Sequence, residues 1–254
     1  MPQILGTRID LTTYDQACDR IKTWIESGES GYVIPANVHV VMTGVWQPRF
    51  QTMVNEAKLV TADGMPLVWG LRLLGYEKSV RVYGPDLMLA LCAKVTEWGW
   101  PIYLYGSEPR VMEQLTINLL NHYPNLAIAG SHCPPFRPLS PEEYQADGDR
   151  IRASGAKIIF VSLGCPKQEE WMYQQRQRIN GIMLGVGAAF NFHSGHVRQA
   201  PRWMMALGLE WLFRLSQEPR RLAGRYLINN PLFLILFAGQ WLHATCTRRK
   251  VNEE

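Results

Sequence analysis

Residues 157–164, KIIFVSLG, form the most regular apolar run in the chain. Runs of β-branched and aromatic residues that end at a glycine are typical of buried strands. The next residues, CPKQE at 165–169, link this predicted strand to a helical pattern that ends near Arg178. A strand that passes directly into a helix is the repeating unit of a parallel sheet.

The same unit recurs on both sides of this run. The further strands are apolar along most of their length rather than on alternate residues, which indicates a sheet covered by helices on both faces. We therefore predict a Rossmann-like, mostly parallel α/β sheet in a core at residues 1–195, followed by a helical appendage at residues 196–254. The other predicted strands are Gln3–Leu11, Gly31–Ile34, Lys58–Ala62, Pro101–Gly106, Leu126–Gly130 and Gly181–Phe190.

The cysteines and histidines give no sign of a metal centre. The five cysteines are scattered without a C-x-x-C pair, which argues against a disulfide framework and a zinc site and fits a reducing compartment. His193 and His196 are three residues apart, but nothing nearby completes a ligand set, so no metal is predicted. The amino terminus does not have the pattern of a secretory signal.

The positive charge of the chain is concentrated in the appendage. The net charge is +4, yet residues 196–250 contain nine Lys or Arg and only two acids, Glu210 and Glu218. A segment of this kind binds phosphate groups on a lipid, a nucleotide or a nucleic acid, although it can also be an ordinary solvated face.

Aromatic residues favour the lipid among these partners. Trp203, Trp211 and Tyr226 alternate with the arginines, and an apolar run at 231–242 follows them. Arginines and aromatics beside an apolar run are typical of a membrane surface rather than a nucleic-acid surface. The run is shorter than the ~20 residues that span a bilayer, so we expect a membrane-associating appendage that lies on the membrane without crossing it.

Two polar residues follow predicted strands directly. Asp63 directly follows the run LVTA at residues 59–62, and Asn37 follows the strand that begins at Gly31. Ligands of open α/β sheets bind at the carboxyl ends of the strands. Asp63 is therefore either a general base or a turn or helix-cap residue. Asn37 either binds a sugar hydroxyl or caps a helix, and the sequence alone favours the cap.

The segment 164–169 has features in common with a phosphate-binding loop: a glycine after a strand, and a helix that begins directly after it. Gly164 allows a sharp turn, and the helix that follows presents free N–H groups to an anion. Lys167 adds a charge and Gln168 a neutral donor, although an ordinary strand–helix connection has the same composition. The glycines around Gly187 lack the rest of a dinucleotide fingerprint, which disfavours a nicotinamide enzyme and instead favours close packing or close approach of a ligand.

Taken together, these motifs resemble those of the WecG/TagA/CpsF glycosyltransferase family, over about residues 3–230. No single motif is specific, but the linked set is. Its members are Asn37, Ala62-Asp63-Gly64, Arg81-Val82-x-Gly84, Gly164-x-Pro166-Lys167-Gln168-Glu169, Gly185-Val186-Gly187-Ala188, Ala200-Pro201-x-Trp203, Gly208-Leu209-Glu210-Trp211-x-x-Arg214 and Glu218-Pro219-x-Arg221-x-x-x-Arg225-Tyr226.

The resemblance implies an inverting glycosyltransferase without a metal or other cofactor. Such an enzyme moves a sugar of the N-acetylmannosamine type from a UDP-sugar to an undecaprenyl-diphosphate-linked acceptor, in the synthesis of cell-surface polysaccharide or teichoic-acid-like glycan. It implies a peripheral protein on the cytoplasmic face of an anionic membrane, with no nucleic-acid partner and a possible homo-oligomer. The alternative is a non-catalytic module that binds a nucleotide or lipid at the membrane surface.

The resemblance also implies roles for individual residues. Asp63 would be the catalytic base. Arg214, Arg221 and Arg225 would bind the acceptor diphosphate, and the appendage would close over the site at the bilayer. Asn37 and Gln168 would bind the sugar or the developing charge, and Arg81 would lie near the active site. The residues expected to bind substrate are Asn37, Arg81, Lys167, Gln168 and Gly187. One departure is Pro35, which stands where the family often has a threonine two residues before the asparagine.

Overall fold

The computed structural model describes residues 1–253, with side chains as far as Thr247, so the three basic residues at 248–250 lie outside the described side chains. The strands are β1 (Gln3–Ile4), β2 (Thr7–Arg8), β3 (Gly31–Ala36), β4 (Leu59–Ala62), β5 (Ile102–Gly106), β6 (Ile128–His132), β7 (Ile158–Ser162) and β8 (Ile182–Gly185). The helices are α1 (Tyr14–Glu26), α2 (Val38–Trp46), α3 (Pro48–Asn55), α4 (Met65–Leu73), α5 (Gly84–Trp98), α6 (Pro109–His122), α7 (Pro141–Ala153), α8 (Lys167–Gln175), α9 (Ala189–His193), α10 (Arg202–Ala206), α11 (Glu210–Gln217) and α12 (Pro219–Glu253).

Six strands form one parallel sheet, in the order β4-β3-β8-β7-β5-β6. The apolar run at 157–164 supplies β7, which lies inside the sheet between β8 and β5. Because all six strands are parallel, their carboxyl ends meet at one edge of the sheet. The predicted α/β fold class is therefore confirmed.

Helices cover both faces of the sheet. One face packs against α2, α3, α4, α8 and α12, and the other against α1, α5, α6 and α9. The strands of the sheet interior are buried on both sides, which is why their sequences are apolar at successive positions.

Two predicted strands differ from the observed ones. The segment predicted as one strand over Gln3–Leu11 is instead a short antiparallel hairpin, because the chain turns at Leu5 and Gly6 with φ angles of 49° and 81°. The strand predicted to reach Phe190 ends at Gly185. There the chain turns at Gly187, whose φ of 55° is left-handed, and α9 then begins.

The C-terminal helix α12 is longer than the apolar run in its sequence. Its part Pro219–Thr247, of 29 residues, is the one helix in the described chain that is long and apolar enough, by length and composition, to cross a membrane. The same helix packs against the sheet layer, since Phe233 and Phe237 belong to the main core and are 2% and 7% exposed. Its apolar length suggests membrane association, while its inner face belongs to the folded core.

Candidate active site

The carboxyl ends of β3 and β4 place two polar residues side by side. Ala36 pairs with Ala62 in the sheet, so the residues that follow them, Asn37 and Asp63, are neighbours at the edge. Asn37 caps α2, because its Oδ1 accepts hydrogen bonds from the N–H groups of His39 (3.0 Å) and Val40 (3.3 Å). The cap uses only the side-chain oxygen. The Asn37 amide nitrogen makes no hydrogen bond to the described residues, and its role towards a sugar stays a prediction.

Asp63 does not cap the helix that follows it. The cap position of α4 is Gly64. The Asp63 carboxylate instead accepts the N–H of Gly84 at 2.6 Å through Oδ1, at the amino terminus of α5. The backbone oxygen of Asp63 accepts a further bond from Nε of Arg81. Asp63 is therefore held by the segment 81–84 from another part of the sheet edge.

The carboxylate of Asp63 lies in an unusual electrostatic setting. Burial raises its pKa to about 6, and the negative charge of Glu210 acts in the same direction. The positive charges of Arg81 and Arg214 and the hydrogen bond from Gly84 act against this rise. A carboxylate with this pKa is mostly ionised at neutral pH and takes up a proton more readily than an exposed aspartate.

Glu210 of α11 connects the appendage to this carboxylate. Its Oε2 accepts a hydrogen bond from Nη2 of Arg81 at 2.6 Å, and its Oε1 accepts one from the hydroxyl of Tyr83 at 2.8 Å. The Arg81 guanidinium also lies over the Tyr83 ring, 4.1 Å from its centroid. Both partners of Glu210 thus flank the segment that holds Asp63. Glu210 belongs to the motif at 208–214 and is a rare acid in a basic segment, but the sequence alone predicts no role for it.

A half-open cavity of about 460 Å³ brings several predicted residues together. Asp63, Asn37 and Arg81 line it from the core, and Arg214 and Arg225 line it from the appendage. Nε of Arg214 is buried and has no hydrogen-bond partner in the described part of the chain. Burial lowers the pKa of Arg225, so its charge is poorly solvated without an anion beside it. Both guanidiniums are suited to bind an anionic ligand.

The remaining arginine, Arg221, lies elsewhere. It pairs with Glu218 one turn earlier on the exposed side of α12, with Nε 2.8 Å from Oε1, and it does not line the cavity. Its predicted role in binding a diphosphate would require Arg221 to leave this ion pair. That role stays a prediction.

A second polar cluster lies at the carboxyl ends of β7 and β8. The buried Gln168 accepts the N–H of Gly187 through Oε1 at 3.1 Å and donates to Glu169 Oε1 at 2.9 Å. The Ser162 hydroxyl donates to the Gly187 oxygen at 2.6 Å. Lys167 is exposed at the first turn of α8. The predicted residues Lys167, Gln168 and Gly187 are thus close together, but they lie outside the 460 Å³ cavity.

Glu169, the last residue of the motif at 164–169, is a buried acid for which the sequence predicts no role of its own. It is 0% exposed, and its Oε2 has no partner among the described residues. Burial raises its pKa to about 7. Glu169 holds the amide of Gln168, so it fixes the side chain that faces Gly187.

No group of three or more His, Cys, Asp or Glu side chains in the described residues is arranged to hold a metal ion. His193, one of the two histidines considered above, lies 2.9 Å through Nε2 from the backbone oxygen of Pro85. It therefore belongs to the packing between α9 and α5.

A comparison with models of protein families gives one match that covers nearly the whole chain. Residues 2–247 match the model of the glycosyl transferase WecG/TagA/CpsF family. The match includes both polar clusters and most of α12. The resemblance inferred from the motifs is thereby confirmed.

Proposed function

The chain belongs to the WecG/TagA/CpsF family of glycosyltransferases, and on this premise we propose which reaction it catalyses. It transfers a sugar of the N-acetylmannosamine type from a UDP-sugar to a sugar on a polyprenyl-diphosphate carrier. The anomeric centre is inverted, and no metal or other cofactor takes part. The product is an intermediate of a cell-surface polysaccharide or a teichoic-acid-like glycan.

The observation that supports this proposal most directly is the state of Asp63. One carboxylate oxygen of Asp63 is fixed by Gly84 N–H, and burial raises the pKa of the group to about 6. The other oxygen makes no hydrogen bond within the described chain, and Asp63 lines the cavity. A fixed, ionised and poorly solvated carboxylate is suited to act as a general base.

In the proposed step, the acceptor hydroxyl lies against Asp63. Its oxygen bonds to the anomeric carbon of the donor while the bond from that carbon to the UDP oxygen breaks. The hydroxyl proton passes to Asp63, and the electron pair of the broken bond leaves with UDP. Attack from the face opposite UDP inverts the anomeric centre.

Positive charge is needed at both diphosphates. In our proposal the leaving UDP is neutralised at the β7–β8 cluster, where Lys167 lies exposed at the positive, amino-terminal end of α8. The acceptor diphosphate is bound by Arg214 and Arg225, which line the same cavity as Asp63. The two clusters then bind the two substrates on either side of the reacting carbon.

We further propose that the protein works as a peripheral enzyme on the cytoplasmic face of a membrane. The basic residues of the appendage attract anionic lipids. Large apolar side chains of α12 are exposed on the side away from the core, among them Leu227, Ile228 and Ile235. Exposed apolar side chains flanked by basic residues are suited to a membrane interface.

The test is a transfer assay with the full chain. A panel of UDP-sugars is incubated with a polyprenyl-diphosphate-sugar acceptor, and the products are identified by mass spectrometry. Asp63→Asn should lower turnover by about 10²–10⁴-fold while UDP still binds, because the base is lost but the donor site is not.

Asp10→Asn is the matched control. Asp10 also accepts a backbone N–H, from Val60 at 2.8 Å, but it does not line the cavity. Wild-type turnover in Asp63→Asn would exclude Asp63 as the base. Binding of UDP or lipid by the wild-type chain without transfer of any sugar would favour a non-catalytic binding module.

A further inference from the structure

The cavity beside Asp63 continues as an apolar groove between two helices. Residues at helical spacing line it from one face of α4 and from one face of α12. Each face covers nine residues, which corresponds to a length of about 12 Å at the rise of an α-helix. The lining residues are Met65, Pro66, Trp69, Gly70 and Leu73 of α4, and Asn229, Asn230, Phe233, Leu234 and Phe237 of α12.

The groove is polar at one end and apolar at the other. Its polar end is at the sheet edge, where Asn229 Nδ2 lies 3.3 Å from Nδ1 of His39, next to Asn37 and Asp63. Two turns further along α12, the Phe237 ring lies against Gly70, 3.1 Å from where a side chain on Gly70 would begin. Both helices therefore lead from the charged residues to an apolar region.

The apolar end has a buried floor and an exposed rim. Phe233 and Phe237 stack with their ring centroids 5.9 Å apart and form the floor. Trp69, Leu73 and Leu234 are 42%, 55% and 63% exposed although they line a cavity. Exposed apolar side chains grouped around a concave site are typical of a site for an apolar ligand.

We propose that this groove binds the first isoprene units of the acceptor's carrier chain, a ligand that follows from the proposed function. The acceptor is an amphiphile, with a diphosphate joined directly to an apolar chain. The cavity matches this order, since Arg214 and Arg225 are at its charged end and the α4–α12 groove is at its apolar end. A water-soluble acceptor would leave the rim uncovered. The groove thus selects for a prenyl carrier and sets the position of the diphosphate relative to Asp63.

A binding experiment without turnover tests this proposal. The full chain is titrated calorimetrically, without detergent, with inorganic diphosphate and with prenyl diphosphates of one, two and three isoprene units. The affinity should rise at least about tenfold for each of the first two units, because each adds apolar surface that the groove buries. The gain in affinity should level off once the prenyl chain is longer than the groove.

Two neighbouring residues of α12 provide a matched pair of variants. Leu234 lines the groove and Ile235 does not, while their side chains are 63% and 67% exposed. Leu234→Gln and Leu73→Gln should each lose most of the gain in affinity that the wild-type protein shows with each added isoprene unit. Ile235→Gln should keep this gain in affinity. Circular dichroism and the midpoint of thermal unfolding show whether the variants are folded.

Two results would overturn the proposal. One is an affinity of the wild-type protein that does not depend on the number of isoprene units. The other is an equal gain in affinity per isoprene unit in Leu234→Gln and in Ile235→Gln. A short-chain phospholipid that competes as well as the prenyl diphosphates would assign the groove to an acyl chain instead. Because no transfer is measured, a failure of the proposed reaction would be seen separately, in the transfer assay.

Discussion

The two polar clusters at the sheet edge are built in different ways. At the β7–β8 end, Ser162, Gln168 and Gly187 hydrogen-bond to one another, and all of them come from one short part of the chain. At the β3–β4 end, Asp63 depends on the segment 81–84 and on Glu210 of the appendage. The first cluster pairs the polar groups of these three residues, and its buried acid, Glu169, is turned to Gln168 and does not line the cavity. The carboxylate of the second cluster does line the cavity, so it is the one placed to take a proton from a bound ligand.

After the loss of Asp63 itself, the largest expected effect separates two arginines of the appendage. Arg214 lines the cavity, whereas Arg221 is paired with Glu218 at the surface. Arg214→Ala should lower kcat/KM for the lipid-linked acceptor by about 10–100-fold, as expected for the loss of hydrogen bonds to a charged group. Arg221→Ala should lower it by less than about threefold, because Arg221 does not line the cavity and its surface ion pair contributes little to the fold.

Steady-state kinetics with acceptor as the varied substrate measures both changes. Equal losses in the two variants would mean that Arg221 leaves its ion pair and enters the site during the reaction. That result would support the diphosphate role that the sequence predicts for Arg221.

Asp63→Asn should stabilise the fold while it abolishes turnover. The pKa of Asp63 is about 6 in the folded chain against a usual 3.8, so ionisation of this group destabilises the folded state. With Asp63 protonated the wild-type chain is as stable as the variant, and it loses free energy of unfolding as the pH rises from about 4 to about 6. Above pH 6 the variant should therefore be more stable by about 1–3 kcal/mol, and below pH 4 the difference should vanish.

Urea denaturation at pH 4, 5, 6 and 7 gives the free energy of unfolding for both proteins. A variant that is less stable than the wild-type chain at pH 7 would show that the hydrogen bond from Gly84 outweighs the burial of the charge.

Gln168→Ala should change stability in the opposite direction. The substitution leaves Gly187 N–H and the buried Glu169 carboxylate without partners, which costs about 1–3 kcal/mol of unfolding free energy. The same denaturation series measures it. An unchanged stability at pH 7 would mean that water takes over both hydrogen bonds.

The smallest expected effect concerns Glu210. Glu210→Gln keeps a side chain of the same shape beside Arg81 and Tyr83. It removes a negative charge that adds to the effect of burial in raising the pKa of Asp63. Arg81, Arg214, Tyr83 and Tyr14 are the other titratable groups near Asp63, and they remain unchanged. The acid limb of the pH profile of kcat should therefore move to lower pH.

Turnover at pH 7 should change by less than about tenfold in this variant, since the lost interaction is one charged hydrogen bond. Glu210→Ala is the more severe comparison, because it also removes both hydrogen bonds. An acid limb that stays in place in Glu210→Gln would show that Glu210 does not act on Asp63 through charge.

The sequence predicts the parts of this structure that local patterns determine. The run at 157–164 became a central strand, and Asn37 and Asp63 followed two neighbouring strands as expected. The Asn37 cap was also the favoured interpretation. In each case a few adjacent residues specify the backbone, through apolar patterning or a polar group at a strand end.

What the sequence did not predict depends on contacts between distant residues. The pKa of Asp63 depends on burial under the appendage and on Glu210, which no local pattern reveals. Pro231 lies inside α12, although a proline in the sequence predicts the beginning or the end of a helix. Packing of Phe233 and Phe237 on the core instead stabilises the continuous helix. The groove could not be predicted either, since its two walls, at 65–73 and 229–237, lie far apart in the sequence.

The side chain of Gln240 joins α12 to the hairpin β1–β2 by hydrogen bonds. Its amide accepts the N–H of Leu5 and donates to the oxygen of Gln3, both at 2.9 Å, as a neighbouring strand would. These backbone groups of the hairpin are therefore paired with a helix that lies more than 230 residues away in the sequence. Contacts of such long range are slow to form. We therefore expect the hairpin β1–β2 to gain its full set of hydrogen bonds only after α12 has packed on the core.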